Sequence, residues 1–305
     1  MKTLPRGLWP VMLTPFCDDG AIDWNALDAL TEWYLAHGSA GLFACCLSSE
    51  MYHLTEEERL ALVRQVVKQC AGRAPVVATG TFGGPIEAQA DYIKRMADTG
   101  VAAVVVMPNQ LVADDEDEAL LRERLEWLMA ATEPVSLGFY ECPSPYKRLL
   151  SAELIRWAAP SGRFLYLKDT TCDPAAIQAK LAALQGTPLR LYNANTHSAL
   201  PSLYDGAAGL SPIAANWHPE LFAWLCAYFH DRPVEAHNLQ RMLRLMEAVV
   251  SIQYPASAKL FLQGRGLPIQ PGCRSMKLRL SYDLQSMFAS LAETVDRLRL
   301  QLEIE

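Results

Sequence analysis

A Cys-x-x-Cys pair is missing from this chain of 305 residues, although it carries eight cysteines, at positions 17, 45, 46, 70, 142, 172, 226 and 273. Without such spacing they are expected to be free, and the several that lie inside apolar runs to be buried, as thiols are in a reducing cytoplasm. Neither a zinc site nor a disulfide framework is expected. Basic residues are in the minority: 27 Lys and Arg against 34 Asp and Glu leave a formal charge of -7. That balance offers nothing to nucleic acid or to an anionic membrane surface. Long apolar runs are missing too, since the strongest uncharged one, Val101 to Leu111, falls short of the ~20 residues that cross a bilayer. The stretch Met1 to Pro15 is broken at Pro10 and Pro15 and shows no small-residue cleavage site, so no export signal is expected. No Walker phosphate loop occurs, and Gly80-Thr81-Phe82-Gly83-Gly84 lacks the spacing of a dinucleotide fingerprint.

What is present is the composition of a globular protein, 51% hydrophobic and 20% charged, long enough for one large domain or two ordinary ones. Eight short, β-rich apolar runs recur: Trp9 to Leu13, Gly41 to Leu47, Pro75 to Gly80, Ala102 to Met107, Val135 to Tyr140, Phe164 to Leu167, Leu189 to Tyr192 and Ala208 to Ser211. They do not alternate with polar residues, which describes strands of a parallel sheet covered on both faces.

Helical patterns fill most of the intervals. Helices are expected after Asp23, after the capping box that starts at Thr55, through Ala88 to Met96, after the acidic run Asp114 to Glu118, and after Ser151. Asp173-Pro174 and His218-Pro219-Glu220 open two more, with room for only a short helix near Ser198 to Tyr204. Eight parallel strands alternating with helices over about 230 residues predict a (β/α)8 barrel of the TIM type. The expected division is a barrel over 1–231 that carries the site and a helical C-terminal extension over 232–305. Within the extension, Val234 to Val250 and Leu280 to Leu300 are helical by periodicity, separated by a Pro- and Gly-rich stretch from Tyr254 to Gly272.

In such barrels the chemistry sits at the carboxyl ends of the strands. Lys168 stands out, because the chain has only eight lysines and this one alone ends an apolar strand run. A partly desolvated ammonium there has a lowered pKa and offers a nucleophilic amine to a carbonyl. The alternative is a rim lysine paired with Asp169 or another carboxylate. Tyr140 ends the neighbouring strand and could move protons as the amine condenses, or could be an ordinary rim tyrosine. Ser48 and Ser49, after strand two, could present hydroxyl and N–H donors to a carboxylate, or simply cap their loop. His197 and His218 follow strands seven and eight and suit rim positions, and no set of Asp, Glu and His has metal spacing.

These residues, in this order, resemble the dihydrodipicolinate synthase and N-acetylneuraminate lyase family of Schiff-base (class I) aldolases. The matching pieces are Gly7-Leu8-Trp9-Pro10 through Leu13-Thr14-Pro15-Phe16, Ser48-Ser49-Glu50, Phe139-Tyr140-Glu141-Cys142-Pro143, Leu167-Lys168-Asp169, and Gly206-Ala207-Ala208-Gly209-Leu210-Ser211. The resemblance implies that Lys168 condenses with the ketone of pyruvate or a related 2-oxo acid, with Tyr140 as general acid and base and no cofactor beyond the covalent imine. It implies that Ser48, Ser49 and the backbone around Leu210 and Ser211 hold the substrate's carboxylate. An aldehyde as second substrate and a homo-oligomer, dimer or tetramer, are implied as well.

Departures from the family pattern concern the second substrate. Leu47 replaces the first hydroxyl of the loop after strand two, and Asn109-Gln110 stand where the synthases carry tyrosines. Pro145 occupies the place of a carboxylate-gripping arginine, with Lys147 and Arg148 displaced beyond it. Ala194-Asn195-Thr196-His197 replaces the acidic segment of the sialic-acid lyases. The expectation is a lyase or aldolase whose imine half is intact and whose aldehyde half is rewritten. Dihydrodipicolinate synthase proper, a 2-oxo-acid-binding sensor without turnover, and a metal-dependent barrel lyase are the alternatives.

Overall fold

Residues 3–304 are described by the structure, a computed structural model. Its strands are β1 (Gly7–Leu8), β2 (Leu42–Cys45), β3 (Val76–Thr79), β4 (Ala103–Val106), β5 (Leu137–Tyr140), β6 (Phe164–Asp169), β7 (Arg190–Asn193) and β8 (Gly209–Leu210). All pair in parallel, in the order β1-β8-β7-β6-β5-β4-β3-β2. The ring closes between its two ends through the parallel bridges Leu8 to Ser39 and Val11 to Phe43. The helices lie between the strands, and the chain is a (β/α)8 barrel.

Strand one differs from the run that announces it. Regular pairing stops at Leu8, and Trp9 to Leu13 continues as extended chain with a single bridge. Pro10 has no N–H to give a ladder, and only its carbonyl is used, accepting from Phe43 N at 3.0 Å. The seam between β1 and β8 depends on glycine. A Cβ on Gly209 would sit 1.8 Å from the Gly7 carbonyl oxygen, so no side chain fits there.

Strands β2 to β6 are buried at every residue, which is why their sequences do not alternate. Trp9, Tyr166 and Tyr192 fill the barrel interior, with ring centroids 4.8 to 5.2 Å apart. The Tyr192 hydroxyl donates to the Pro5 carbonyl at 2.8 Å, at the amino end of β1. The interior is therefore packed, and an open space can exist only above these rings, at the strands' carboxyl ends.

The barrel helices are α1 (Trp24–Ala36), α2 (Glu56–Cys70), α3 (Ile86–Ala97), α4 (Glu118–Ala131), α5 (Ala152–Ala158), α6 (Pro174–Leu184), α7 (Ala199–Tyr204) and α8 (Pro219–Tyr228). Five begin with a side-chain cap, at Asp23, Thr55, Asp117, Ser151 and Asp173. Beyond them come α9 (Pro233–Val250), α10 (Ala256–Gly264) and α11 (Tyr282–Leu302). Helix α10 lies inside the stretch expected to be a mere Pro- and Gly-rich connector. It forms because Pro255 and Gly266 flank rather than interrupt it, and Ala258, Phe261 and Leu262 bury its inner face. Among the described residues, no helix is long and apolar enough to cross a membrane.

Candidate active site

Side chains alternate across β6. Tyr166 and Lys168 point into the barrel, while Leu167 and Asp169 point out toward the helices. Lys168 stands directly across the ladder from Tyr140 on β5. Its Nζ lies 4.4 Å from the centre of the Tyr140 ring, and that ring packs edge-on against Phe43 with centroids 5.5 Å apart. Burial lowers the Lys168 pKa, and the nearby thiols of Cys46 and Cys142 only partly offset it. Burial likewise lifts the Tyr140 hydroxyl well above its ordinary range, with Cys142 and Cys46 adding to the effect, so it remains protonated near neutrality.

A carboxylate beside Lys168 would restore its proton, yet the two that follow Lys168 and its cross-strand partner Tyr140 are engaged elsewhere. Asp169 Oδ2 lies 2.6 Å and Glu141 Oε1 2.5 Å from Nζ of Lys180, which reaches in from α6. Glu141 also accepts from the backbone N–H groups of Leu150 at 2.8 Å and Thr170 at 2.9 Å. All three charged side chains are buried. Among the described residues the lysines with ion pairs are Lys94, Lys180 and Lys259, and not Lys168.

Above the barrel rings lies a cavity of about 570 Å³. Lys168, Tyr140 and Ser48 line it together with Tyr254 from the extension, while Tyr52, Lys147 and Glu247 stand among its other walls. Burial raises the Glu247 pKa, with Thr196 and His197 opposing.

Three of the expected substrate-binding residues do not reach this cavity. Ser49 is fully buried, and its hydroxyl donates to the backbone carbonyls of Met12 at 2.7 Å and Ala44 at 2.9 Å. Its N–H bonds to the Cys46 carbonyl at 3.0 Å. Ser49 therefore knots the loop to the barrel and has no donor to spare. Leu210 is used in the β1–β8–β7 pairing. Ser211 donates its hydroxyl to Trp9 O at 2.7 Å and its N–H to Asn193 O at 2.8 Å. After β8 the residue that borders the cavity is Ile213.

The departures from the family pattern also find places. Leu47 lines the cavity. Asn109 does not: its amide donates to the carbonyls of Cys142, Ser144 and Tyr146 at 2.6 to 3.0 Å and clamps the loop after β5. Gln110 donates to the Tyr52 hydroxyl at 3.2 Å, and Tyr52 lines the cavity instead. Lys147 borders the mouth, whereas Arg148 is tied to the Glu116 carbonyl at 2.6 Å. His197 is exposed beside the mouth. His218 is no rim residue: it is fully buried, stacked on Phe222, and burial lowers its pKa to about 4.

Sequence reasoning missed Tyr254, Glu247 and Lys180. No local pattern marks them: Tyr254 and Glu247 reach the cavity from far along the chain, and Lys180 turns inward from α6 as one lysine of an ordinary helix.

The dihydrodipicolinate synthetase family model matches residues 4–295. The 4-hydroxy-tetrahydrodipicolinate synthase 2 of Halalkalibacterium halodurans is 27% identical over 290 residues, covering 92% of this chain and 97% of the relative. A 4-hydroxy-tetrahydrodipicolinate synthase of Sorangium cellulosum is 30% identical over 223 residues, 72% of each chain. Among solved structures, a prophage protein of the dihydrodipicolinic acid synthase family from E. coli K12, in complex with pyruvate, has a TM-score of 0.84 at 19% identity. That match covers 95% of this chain and 98% of the other.

Proposed function

The chain belongs to the dihydrodipicolinate synthetase family, and from that footing we propose that it is a Schiff-base-forming lyase or aldolase acting on pyruvate or a related 2-oxo acid. The observation that carries the reading is the state of Lys168: a buried amine with a lowered pKa, facing a phenol across the cavity floor, its neighbouring carboxylates held by Lys180.

The neutral amine attacks the ketone carbon and gives a carbinolamine. Tyr140 delivers a proton to the departing hydroxyl, which leaves as water, and an imine remains. The positive imine nitrogen accepts an electron pair from C3, either when a C3 proton leaves or when the C3–C4 bond breaks and an aldehyde departs. The resulting enamine is then protonated or attacks an aldehyde, and water returns to release the keto acid from Lys168. No cofactor is needed for these steps. The pyruvate held by the E. coli relative supports this choice of keto acid. Leu47 and the absence of an arginine from the cavity wall favour an aldehyde other than that of the synthases. A homo-oligomer in the cytoplasm is part of the same reading.

Deuterium exchange into the pyruvate methyl group, followed by NMR, tests it. The protein should catalyse exchange and Lys168→Ala should not. An adduct on Lys168 without exchange would favour the sensor reading, to which Leu47 lends its weight as an apolar residue on the cavity wall.

A further inference from the structure

The loop after β2 offers the cavity one free hydroxyl, that of Ser48, because Ser49 is consumed by backbone carbonyls. A second hydroxyl comes from the far end of the chain. Tyr254 lies between α9 and α10 and lines the same cavity as Lys168 and Ser48.

The direction of its hydrogen bond is fixed by a buried chain behind it. Asn216 donates from Nδ2 to the Val11 carbonyl at 2.8 Å. A carbonyl can only accept, so this contact fixes which end of the amide is nitrogen. The other amide end, Oδ1, accepts from the buried Tyr34 hydroxyl. The second hydrogen on Nδ2 goes to the Tyr254 oxygen at 2.6 Å. Tyr254 therefore receives from behind, and its own O–H is left to donate away from Asn216, into the cavity that it lines.

We propose that Tyr254, carried by the C-terminal extension, is a substrate-contacting donor that acts with Ser48 to hold the carboxylate of the 2-oxo acid whose ketone meets Lys168. This rests on the Schiff-base reading above. It makes the extension part of the site. Two neutral hydroxyl donors lining one cavity suit an anion, and a 2-oxo acid bound through C2 to the lysine carries its carboxylate one bond away. A phenol in this position works as a donor and not as a base, because Asn216 already occupies its oxygen.

The test is borohydride trapping of wild type and Tyr254→Phe across a range of pyruvate concentrations, repeated with hydroxyacetone, a ketone without a carboxylate. Loss of a hydrogen bond to a charged group predicts a half-saturating pyruvate concentration raised at least about tenfold in the variant. Trapping at saturating pyruvate and the dependence on hydroxyacetone should stay near wild type, which also shows that the variant is folded. An unchanged pyruvate dependence overturns the proposal. So does an equal loss with hydroxyacetone, which would mean a distorted site, or a slower rate at saturation with no change in half-saturation, which would mean proton transfer. If wild type itself forms no adduct, the Schiff-base reading falls first and this inference with it.

Discussion

Asp169 follows Lys168 in sequence but turns its carboxylate the other way, onto Lys180, 2.6 Å distant on the outer side of the barrel. That relationship removes the ion pair with Asp169 that the rim-lysine reading of Lys168 invoked. A strand places successive side chains on opposite faces, so the adjacent acid cannot fold back onto the amine. Glu141 makes the same turn at the end of β5, and one buried ammonium serves both carboxylates.

Removing that ammonium leaves two buried acids without a partner. Lys180→Met is expected to cost about 3–5 kcal/mol, the usual result of breaking a buried pair from one side, measured by urea unfolding at neutral pH. Adding Glu141→Gln and Asp169→Asn should recover a large part of the loss. A Lys180→Met protein within about 0.5 kcal/mol of wild type would show that the triad does not hold β5 and β6 to α6.

Tyr140→Phe keeps the ring beneath the amine and removes the acidic proton. Imine formation and turnover should fall about 10²–10⁴-fold with the melting temperature close to wild type, measured by single-turnover trapping and thermal unfolding. Unchanged rates would remove Tyr140 from proton transfer.

Glu50 ties the loop that carries Ser48 to the extension. It adopts a left-handed backbone with φ 58°, bonds to Lys259 Nζ at 2.8 Å and accepts the Ser275 N–H at 2.8 Å. Burial, the largest single influence, would raise its pKa, but the Lys259 ammonium and the hydrogen bonds from Lys259 and Ser275 together hold it below the ordinary value. With the folded-state pKa depressed, the stabilisation is present above the unfolded value, about 4.3, and is lost as pH falls through the lower folded value. Glu50→Gln should therefore cost about 3 kcal/mol at neutral pH, with the gap to wild type constant down to the ordinary glutamate range and narrowing only below it. Unfolding curves across pH check this, and a gap that closes already near neutrality would contradict it.

The barrel was legible because buried parallel strands write themselves as unbroken apolar runs, and five helix starts carried their own caps. The placing of Lys168 and Tyr140 at the mouth was legible for a related reason: each ends its run at an inward-facing strand position, whereas Asp169 and Glu141, one residue on, turn outward. Ser49 and Ser211 misled because a hydroxyl's partner is set by chain that arrives later in the fold, and both turned out to serve backbone carbonyls. Tyr254 was hidden because its stretch, with Pro255, Gly264 and Gly266, has the composition of a connector. Its role depends on Asn216 and Val11, distant in sequence and brought beside it only by closure of the barrel.

The most direct measurement of the central claim is borohydride reduction in the presence of pyruvate, followed by peptide mass mapping. The account predicts one adduct, the mass of a reduced pyruvyl imine, on the peptide that contains Lys168, absent in Lys168→Ala and forming at lower pH than an unperturbed lysine would require. A protein left unmodified at saturating pyruvate, or an adduct on Lys147 at the cavity mouth in place of Lys168, would contradict it.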